Sequence, residues 1–141
     1  LKEVIMADIM QFDLISPERR LESLEVSSVR IPGADGDLTA MADHAPLITT
    51  LRPGILRVES SVGDQEYMVT GGFAEIGNGL SVLAEQALLR ADVTQDIFDG
   101  ISADAKTAHA SAQSSGGDVD ATSKRVADID AVGVELGLTA R

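Results

Sequence analysis

The hydrophobic pattern changes its period near residue 90, and that change commits the chain to a β domain followed by a helical one. Before it, apolar residues alternate. "MQFDLIS" sets Met10, Phe12 and Leu14 on one face, with Gln11 and Asp13 on the other. "LRVES" sends Leu56 and Val58 inward, and "QEYMVT" puts Tyr67 and Val69 opposite Glu66 and Met68. "LSVLA" gives Leu80, Val82 and Ala84 a common face. A period of two belongs to a strand with one face buried. These segments are short and punctuated by Ser16-Pro17, Pro32-Gly33, Pro53-Gly54, Gly63-Asp64, Gly71-Gly72 and Gly77-Asn78-Gly79. Turns every ~8–12 residues predict a sandwich or barrel rather than βαβ units. Asn78-Gly79 is the strongest hairpin signal, since both residues tolerate the positive φ of a tight turn. Nine or ten short strands fit before Arg90.

After Arg90 the period is helical. Ile97, Ile101, Ala105, Ala108 and Ala112 recur at threes and fours, the stripe of one amphipathic helix. Asp92 or Thr94 is the expected N-cap, and Gly116 in "SSGG" suits a left-handed C-cap. Val119, Thr122, Val126, Ile129, Gly133 and Leu136 make a second stripe, so the segment reads as an antiparallel helical hairpin. Gly100 and Gly133 fall inside these helices, at about 1 kcal/mol each relative to Ala. The predicted organisation is an N-terminal extension at 1–8, a β-sandwich at 9–90 and a hairpin at 91–141.

Charge and composition exclude several functions. A net charge of −12 repels a phosphate backbone and an anionic membrane surface. The aromatic residues are only Phe12, Phe73, Phe98 and Tyr67, too few for a base-stacking platform. Tyr67 and Phe73 are assigned to the sandwich core. Without cysteine there is neither a disulfide framework nor a thiolate metal site. No apolar run is long enough to cross a membrane, and "LKEVIMADIMQ" has too short an apolar stretch for a signal peptide, with Met6 a candidate initiator.

The stretch "GADGDLTAMADHAP" resembles a metal loop or an acid/base site, yet its chemistry is incomplete. A calcium loop starting at Asp35 needs a Glu at its twelfth position, where Pro46 stands. The loop starting at Asp118 meets Ile129 there. His44 lacks a nucleophile, and Asp43 next to it on an extended strand points to the opposite face. His109, amid alanines on a helix, is expected to be solvated. No phosphate-binding or dinucleotide fingerprint occurs. No catalytic, metal or cofactor site is predicted.

The order of motifs then becomes informative. Gly33, Gly36 and Leu38 are followed by His44-Ala45-Pro46-Leu47, Pro53-Gly54, Gly71-Gly72-Phe73 and Val82-Leu83-Ala84. In sequence and spacing this resembles the epsilon subunit of bacterial F-type ATP synthase, the counterpart of mitochondrial delta, firmly over residues 9–90. "GDVD" at 117–120 extends the likeness into the hairpin. The resemblance implies a ten-stranded β-sandwich followed by a helix-turn-helix. It also implies a non-catalytic rotor subunit, without cofactor, that holds gamma to the c-ring during proton-driven ATP synthesis. Asp35, Gly36 and Asp37 match the family's ring-facing loop, and Met41, Asp43, His44 and Pro46 fall where it contacts gamma. The implied location is peripheral, on the cytoplasmic face of the bacterial inner membrane (the mitochondrial matrix side in a eukaryote), with the catalytic head a further contact of the hairpin. The rival reading is a free-standing sandwich that binds a small ligand under a helical lid.

Two departures bear on regulation. ATP-binding members carry Ile/Leu-Asp-x-x-Arg-Ala, where this chain has Val93-Thr94-Gln95-Asp96-Ile97-Phe98, so nucleotide binding is not expected. From Ala91 onward four basic residues face nine acidic ones, a balance of −5, the wrong sign for docking on acidic loops of the head. Leu38-Thr39-Ala40 also replaces the family's Leu-Gly-Ile/Val.

Overall fold

A computed structural model describes residues 9–138. The chain divides into two compact units between Leu89 and Arg90. The segment 1–8, expected as an N-terminal extension, lies outside the described residues, as do 139–141.

The first unit contains ten strands. They are β1 (Met10–Ile15), β2 (Arg20–Val26), β3 (Ser28–Gly33), β4 (Gly36–Met41) and β5 (Leu47–Leu51), then β6 (Gly54–Glu59), β7 (Gln65–Val69), β8 (Gly72–Ile76), β9 (Leu80–Ala84) and β10 (Ala87–Leu89). Hydrogen-bonded neighbours follow the path β10-β7-β6-β3-β5-β8-β9-β1-β2, with β4 alongside β3. All pairings are antiparallel except β1 with β9, where Phe12 sits opposite Leu80 and Leu14 opposite Val82. The path folds over one interior and nearly closes. Phe12, Leu14, Val26, Val29, Ile31, Leu56, Tyr67 and Val82 fill it, all buried. Each such side chain contributes about 1.5–3 kcal/mol on leaving water. Toward the two ends of the path, the Tyr67 hydroxyl on β7 donates to the Glu22 carboxylate on β2, so a side chain bridges the seam.

The alternation predicted these inward faces, and the exceptions have local causes. Met68, assigned to the outer side of β7, is fully buried there, outside the interior cluster. Phe73, assigned to the core, is 45 % exposed. Its neighbours Ala74 and Ile76 are the inward residues of β8, and a strand cannot turn Phe73 to the same side as Ala74. Pro32-Gly33 is not itself a turn but the end of β3, and the turn is Ala34-Asp35. Pro32 fits because Gly54 packs flat beside it, where a Cβ would lie 2.6 Å from Pro32 Cβ. The β8–β9 hairpin forms at Gly77-Asn78-Gly79, but neither Asn78 nor Gly79 takes a positive φ. What the site requires is space, since a Cβ on Gly79 would meet the Gln11 carbonyl oxygen at 2.7 Å.

The second unit opens with a 3-10 turn (Arg90–Asp92) and contains helices α1 (Gln95–Ser115) and α2 (Val119–Leu136). Thr94 caps α1, its side chain accepting from Ile97 N–H at 3.2 Å, and Gly116 closes it at φ 76°. Asp118 caps α2 through Ala121 N–H, and Gly137 ends it. The buried face is rotated slightly from the predicted stripe. Ile97 and Val119 are each 38 % exposed and Ala108 is exposed, whereas Phe98 and Val132 are buried. The Phe98 ring sits against Gly133, where a Cβ would come within 2.5 Å of its Cζ. Gly133 therefore leaves a notch for an aromatic ring. His109, expected to be solvated, is half-buried and donates from Nδ1 to Thr122 Oγ1 at 2.8 Å, whose own proton serves backbone carbonyls of α2.

Candidate functional site: two ends of one strand and an outward sheet face

Strand β4 carries a group of predicted contact residues at each end. At its start, Ala34-Asp35 turns the chain and Gly36 takes a φ of 132°, which a side chain would strain. Asp35 is exposed at the tip and makes no ion pair among the described residues. Asp37 does not present a free carboxylate. Arg52 Nη2 donates to it at 2.5 Å and Arg30 Nη2 at 3.1 Å. The hydrogen bond from Arg52 leads in holding its carboxyl below the usual carboxylate value, with Arg30 adding to it and burial opposing. Arg52 Nη1 also donates to the Gly33 carbonyl at 2.7 Å. Backbone bonds from Ala34 N–H to Thr50 O and from Arg52 N–H to Pro32 O fasten the hairpin to the end of β5. Sequence reasoning missed Arg30 and Arg52. The available signal was register, because Pro32 pairs with Asp37 and so places Arg30 diagonally across from it on one face.

At the other end of β4, Met41 is 54 % exposed. Ala42-Asp43 forms a turn, with Asp43 in the left-handed region at φ 69° and His44 N–H donating to Met41 O. The extended geometry assumed for Asp43 and His44 is thus replaced by a turn, and Nδ1–H of His44 donates to the Ala45 carbonyl at 2.6 Å. Pro46 is exposed, and Leu47 and Ile48 follow at 40 % and 69 % exposure. Met41, Asp43, His44 and Pro46 therefore share one connection. From Gly36 to Met41 the rise of a strand gives about 17 Å between the two groups.

A third feature was not foreseen. On the outward side of the sheet, Phe73 pairs with Leu83 and Leu83 with Ile15, an apolar row across β8, β9 and β1. With Pro17 it lines an open groove of about 340 Å³. Two residues along the same strands, Glu75, Ser81 and Asp13 form a polar row bordering a second open groove of about 360 Å³. Among the described residues no group of three or more His, Cys, Asp or Glu is placed to hold a metal ion, and no helix is long and apolar enough to cross a membrane.

Residues 9–90 match the family described as ATP synthase, Delta/Epsilon chain, beta-sandwich domain. The chain is 51 % identical over 137 residues to the ATP synthase epsilon chain of Ruegeria sp. (strain TM1040), covering 94 % of this chain and all of that one. It is 52 % identical over 134 residues to the ATP synthase epsilon chain of Rhodobacter capsulatus, with the same coverage. Its fold is similar to a chain in the cryo-EM structure of the Euglena gracilis mitochondrial ATP synthase, at TM-score 0.60 and 20 % identity over 94 % of this chain and 74 % of that one. A chain from the central stalk and c-ring of the Tetrahymena thermophila mitochondrial enzyme is similar over 59 % of this chain and 68 % of its own, at TM-score 0.52 and 17 % identity.

Proposed function

The chain belongs to the ATP synthase epsilon-chain family, and from that membership we propose that it works as a non-catalytic subunit of the central stalk, coupling gamma to the c-ring. The observation that carries this reading is the pair of surfaces at opposite ends of β4. Met41, His44 and Pro46, with Asp43 shaping their turn, form the candidate gamma contact; Asp35, Gly36 and Asp37 form the candidate ring contact. One ladder of β3 and β4 connects the two, so a force applied at one end reaches the other through backbone hydrogen bonds rather than through a loop. Arg52 and Arg30 hold the ring-side hairpin in shape through Asp37, which leaves Asp35 as the carboxylate offered to a basic partner.

Adhesion at the gamma end rests on apolar side chains. Met41, Leu47 and Ile48 are large, exposed and close in sequence, an arrangement that a soluble surface rarely leaves uncovered. Exposed carboxylates contribute about 0–1 kcal/mol per pair, so they orient the contact more than they hold it. Such a subunit sits peripherally at the cytoplasmic face of the inner membrane, held there by the complex. The charge balance of −5 from Ala91 onward disfavours tight docking of the hairpin on acidic parts of the catalytic head.

Co-purification with gamma tests the reading. Met41→Asp and His44→Asp should each reduce recovery of the complex while the thermal transition of the sandwich stays intact. If both charged variants co-purify like the wild type, the contact lies elsewhere. If the wild-type chain never travels with gamma, the rotor reading itself falls.

A further inference from the structure

We infer that Asn78 is a site of spontaneous covalent modification, at which the Gly79 amide nitrogen displaces ammonia from the Asn78 side chain and water then opens the ring. Asn78 is the chain's sole asparagine, and a glycine follows it directly. In the first step the backbone nitrogen of Gly79 bonds to Asn78 Cγ. The Cγ–N bond of the side-chain amide breaks, and its nitrogen leaves as ammonia with the proton that Gly79 gives up. A cyclic imide remains. Water then adds to either imide carbonyl. Addition at Cγ restores the ordinary backbone and leaves an aspartate. Addition at the backbone carbonyl leaves an isoaspartyl link, in which the main chain runs through Cβ and Cγ and is one atom longer. The reaction consumes water alone and depends on no partner subunit.

Both reacting groups are unoccupied. Asn78 is exposed in the connection between β8 and β9, and its side-chain amide has no hydrogen-bond partner among the described residues. The connection is closed by Gly77 N–H, which donates to the Gly79 carbonyl at 2.8 Å. The Gly79 N–H itself meets no acceptor among the described residues, so solvent base can reach its proton. Gly79 also lacks a Cβ to crowd the ring as it closes. Asp99-Gly100 sets a side-chain carbonyl before a glycine in the same way, but Gly100 lies inside α1, where the i to i−4 bond ties its N–H. Asp35-Gly36 is exposed, yet a carboxylate is a poor acceptor for a nitrogen nucleophile. Either acidic site would expel water rather than ammonia, so neither changes the charge of the chain.

The two products differ in what they do to the fold. The isoaspartyl link has no room where the hairpin meets β1, since even a Cβ on Gly79 would stand 2.7 Å from the Gln11 carbonyl oxygen and 3.4 Å from Gln11 Cβ. Next along the strands come the pairs of Leu80 with Ile76 and with Phe12, all three buried. An extra backbone atom in so short a connection drives Gly79 toward Gln11 or pulls Leu80 out of its pairs. Both movements loosen the parallel contact of β1 with β9. The aspartyl product keeps the native backbone and adds a carboxylate beside the groove bordered by Glu75, Ser81 and Asp13. It changes charge and leaves the register alone.

Incubation of the full chain at physiological temperature and pH, followed by anion-exchange chromatography and peptide mapping by mass spectrometry, tests this. A more acidic species with OH in place of NH2 at Asn78 should accumulate in the wild type and be absent from Asn78→Ser. Because no hydrogen bond has to break first, the folded chain should lose ammonia within about tenfold of the rate of the urea-unfolded chain. Isoaspartate is read by enzymatic methylation of its free α-carboxyl group with a labelled methyl donor. Amides of β1 and β9 in the isoaspartyl-enriched fraction should exchange about five- to a hundredfold faster than in fresh chain, whereas Asn78→Asp should exchange like fresh chain. Thermal melts confirm that both variants are folded. A folded chain that keeps its ammonia while the unfolded one reacts would overturn the modification site. An isoaspartyl fraction as protected as fresh chain, or an Asn78→Asp variant that loses as much protection as that fraction, would overturn the strain at β1.

Discussion

Gly133 and Gly100 are both helix-interior glycines, and replacing each with Ala should change the hairpin in opposite directions. Propensity alone assigns each substitution a gain of about 1 kcal/mol. At Gly100 nothing lies within 4 Å of the new Cβ, so that gain should be realised in full. At Gly133 the Cβ would stand 2.5, 3.0 and 3.3 Å from Cζ, Cε2 and Cε1 of Phe98, a fully buried ring with no open side to retreat into. Overpacking of this kind costs about 1–3 kcal/mol, which leaves a net loss of about 0–2 kcal/mol. Amide hydrogen exchange across α1 and α2 reads this directly, as 1.4 kcal/mol is about a tenfold change in protection. Gly100→Ala should slow exchange about fivefold, while Gly133→Ala should leave it unchanged or speed it up to about thirtyfold. A Phe98→Leu background should shrink the Gly133→Ala penalty, since the two residues then no longer compete for one space. If Gly133→Ala protects α1 and α2 as well as Gly100→Ala does, Phe98 is not seated against Gly133 and the packing described for the hairpin is wrong.

Four further outcomes are expected. The Tyr67 hydroxyl titrates above its ordinary value of 10.0 because burial and then the Glu22 bond raise it, so it supports the fold fully below pH 10 and progressively less above. Tyr67→Phe should cost about 1.5–3 kcal/mol near neutral pH, and its gap to wild type in denaturant midpoint should close as pH rises past 10. Asp37, held below its ordinary 3.8, contributes stability above that value and loses it as pH falls through its lowered one; Asp37→Asn should remove this component from an acid titration of the sandwich. Ser102 is buried on α1 with no partner for its hydroxyl among the described residues, so Ser102→Ala should raise hairpin protection in hydrogen exchange, by about 1 kcal/mol. Calorimetry should detect no ATP binding at sub-millimolar nucleotide, and deletion of 91–141 should change ATP hydrolysis by the assembled enzyme only modestly; tight binding or a many-fold rise would refute that.

The inward faces were legible because a strand has only two sides and the punctuation of glycine and proline fixed where each strand ended. Phe12, Leu56, Tyr67 and Val82 needed nothing more. Phe73 was misassigned because aromatic character was weighed above alternation, although Ala74 and Ile76 already reserved the inner side of β8. In the hairpin the stripe was legible only approximately. With Ala, Ser and Gly filling many positions, hydrophobicity cannot separate Ile97 from Phe98 as the residue that turns inward, and the deciding contact is a ring meeting a glycine on the other helix. At the candidate site the motifs singled out Met41, His44 and the Asp35–Asp37 turn as candidate contacts, which the fold sets at the two ends of β4. Of the clamp, Arg30 was legible only through cross-strand register, and Arg52 not at all, because it lies fifteen positions from Asp37 on another connection.

The parallel contact between β1 and β9 has a consequence for the order in which the molecule is made. β8 and β9 are joined by a tight hairpin and β5 reaches β8 across two intervening strands, but Phe12 must wait for Leu80, near the far end of the sandwich. Contacts so distant in sequence are the slow ones, since loop-closure entropy is lost before they return anything. The row Phe73, Leu83 and Ile15 straddles that seam, with Ile15 contributed by the first of the ten described strands and Leu83 by the ninth. A nascent or half-folded chain therefore lacks the complete face, and only a finished sandwich offers all three side chains at once. The outer row is therefore complete only once the sandwich has closed, so its three side chains together mark a finished fold.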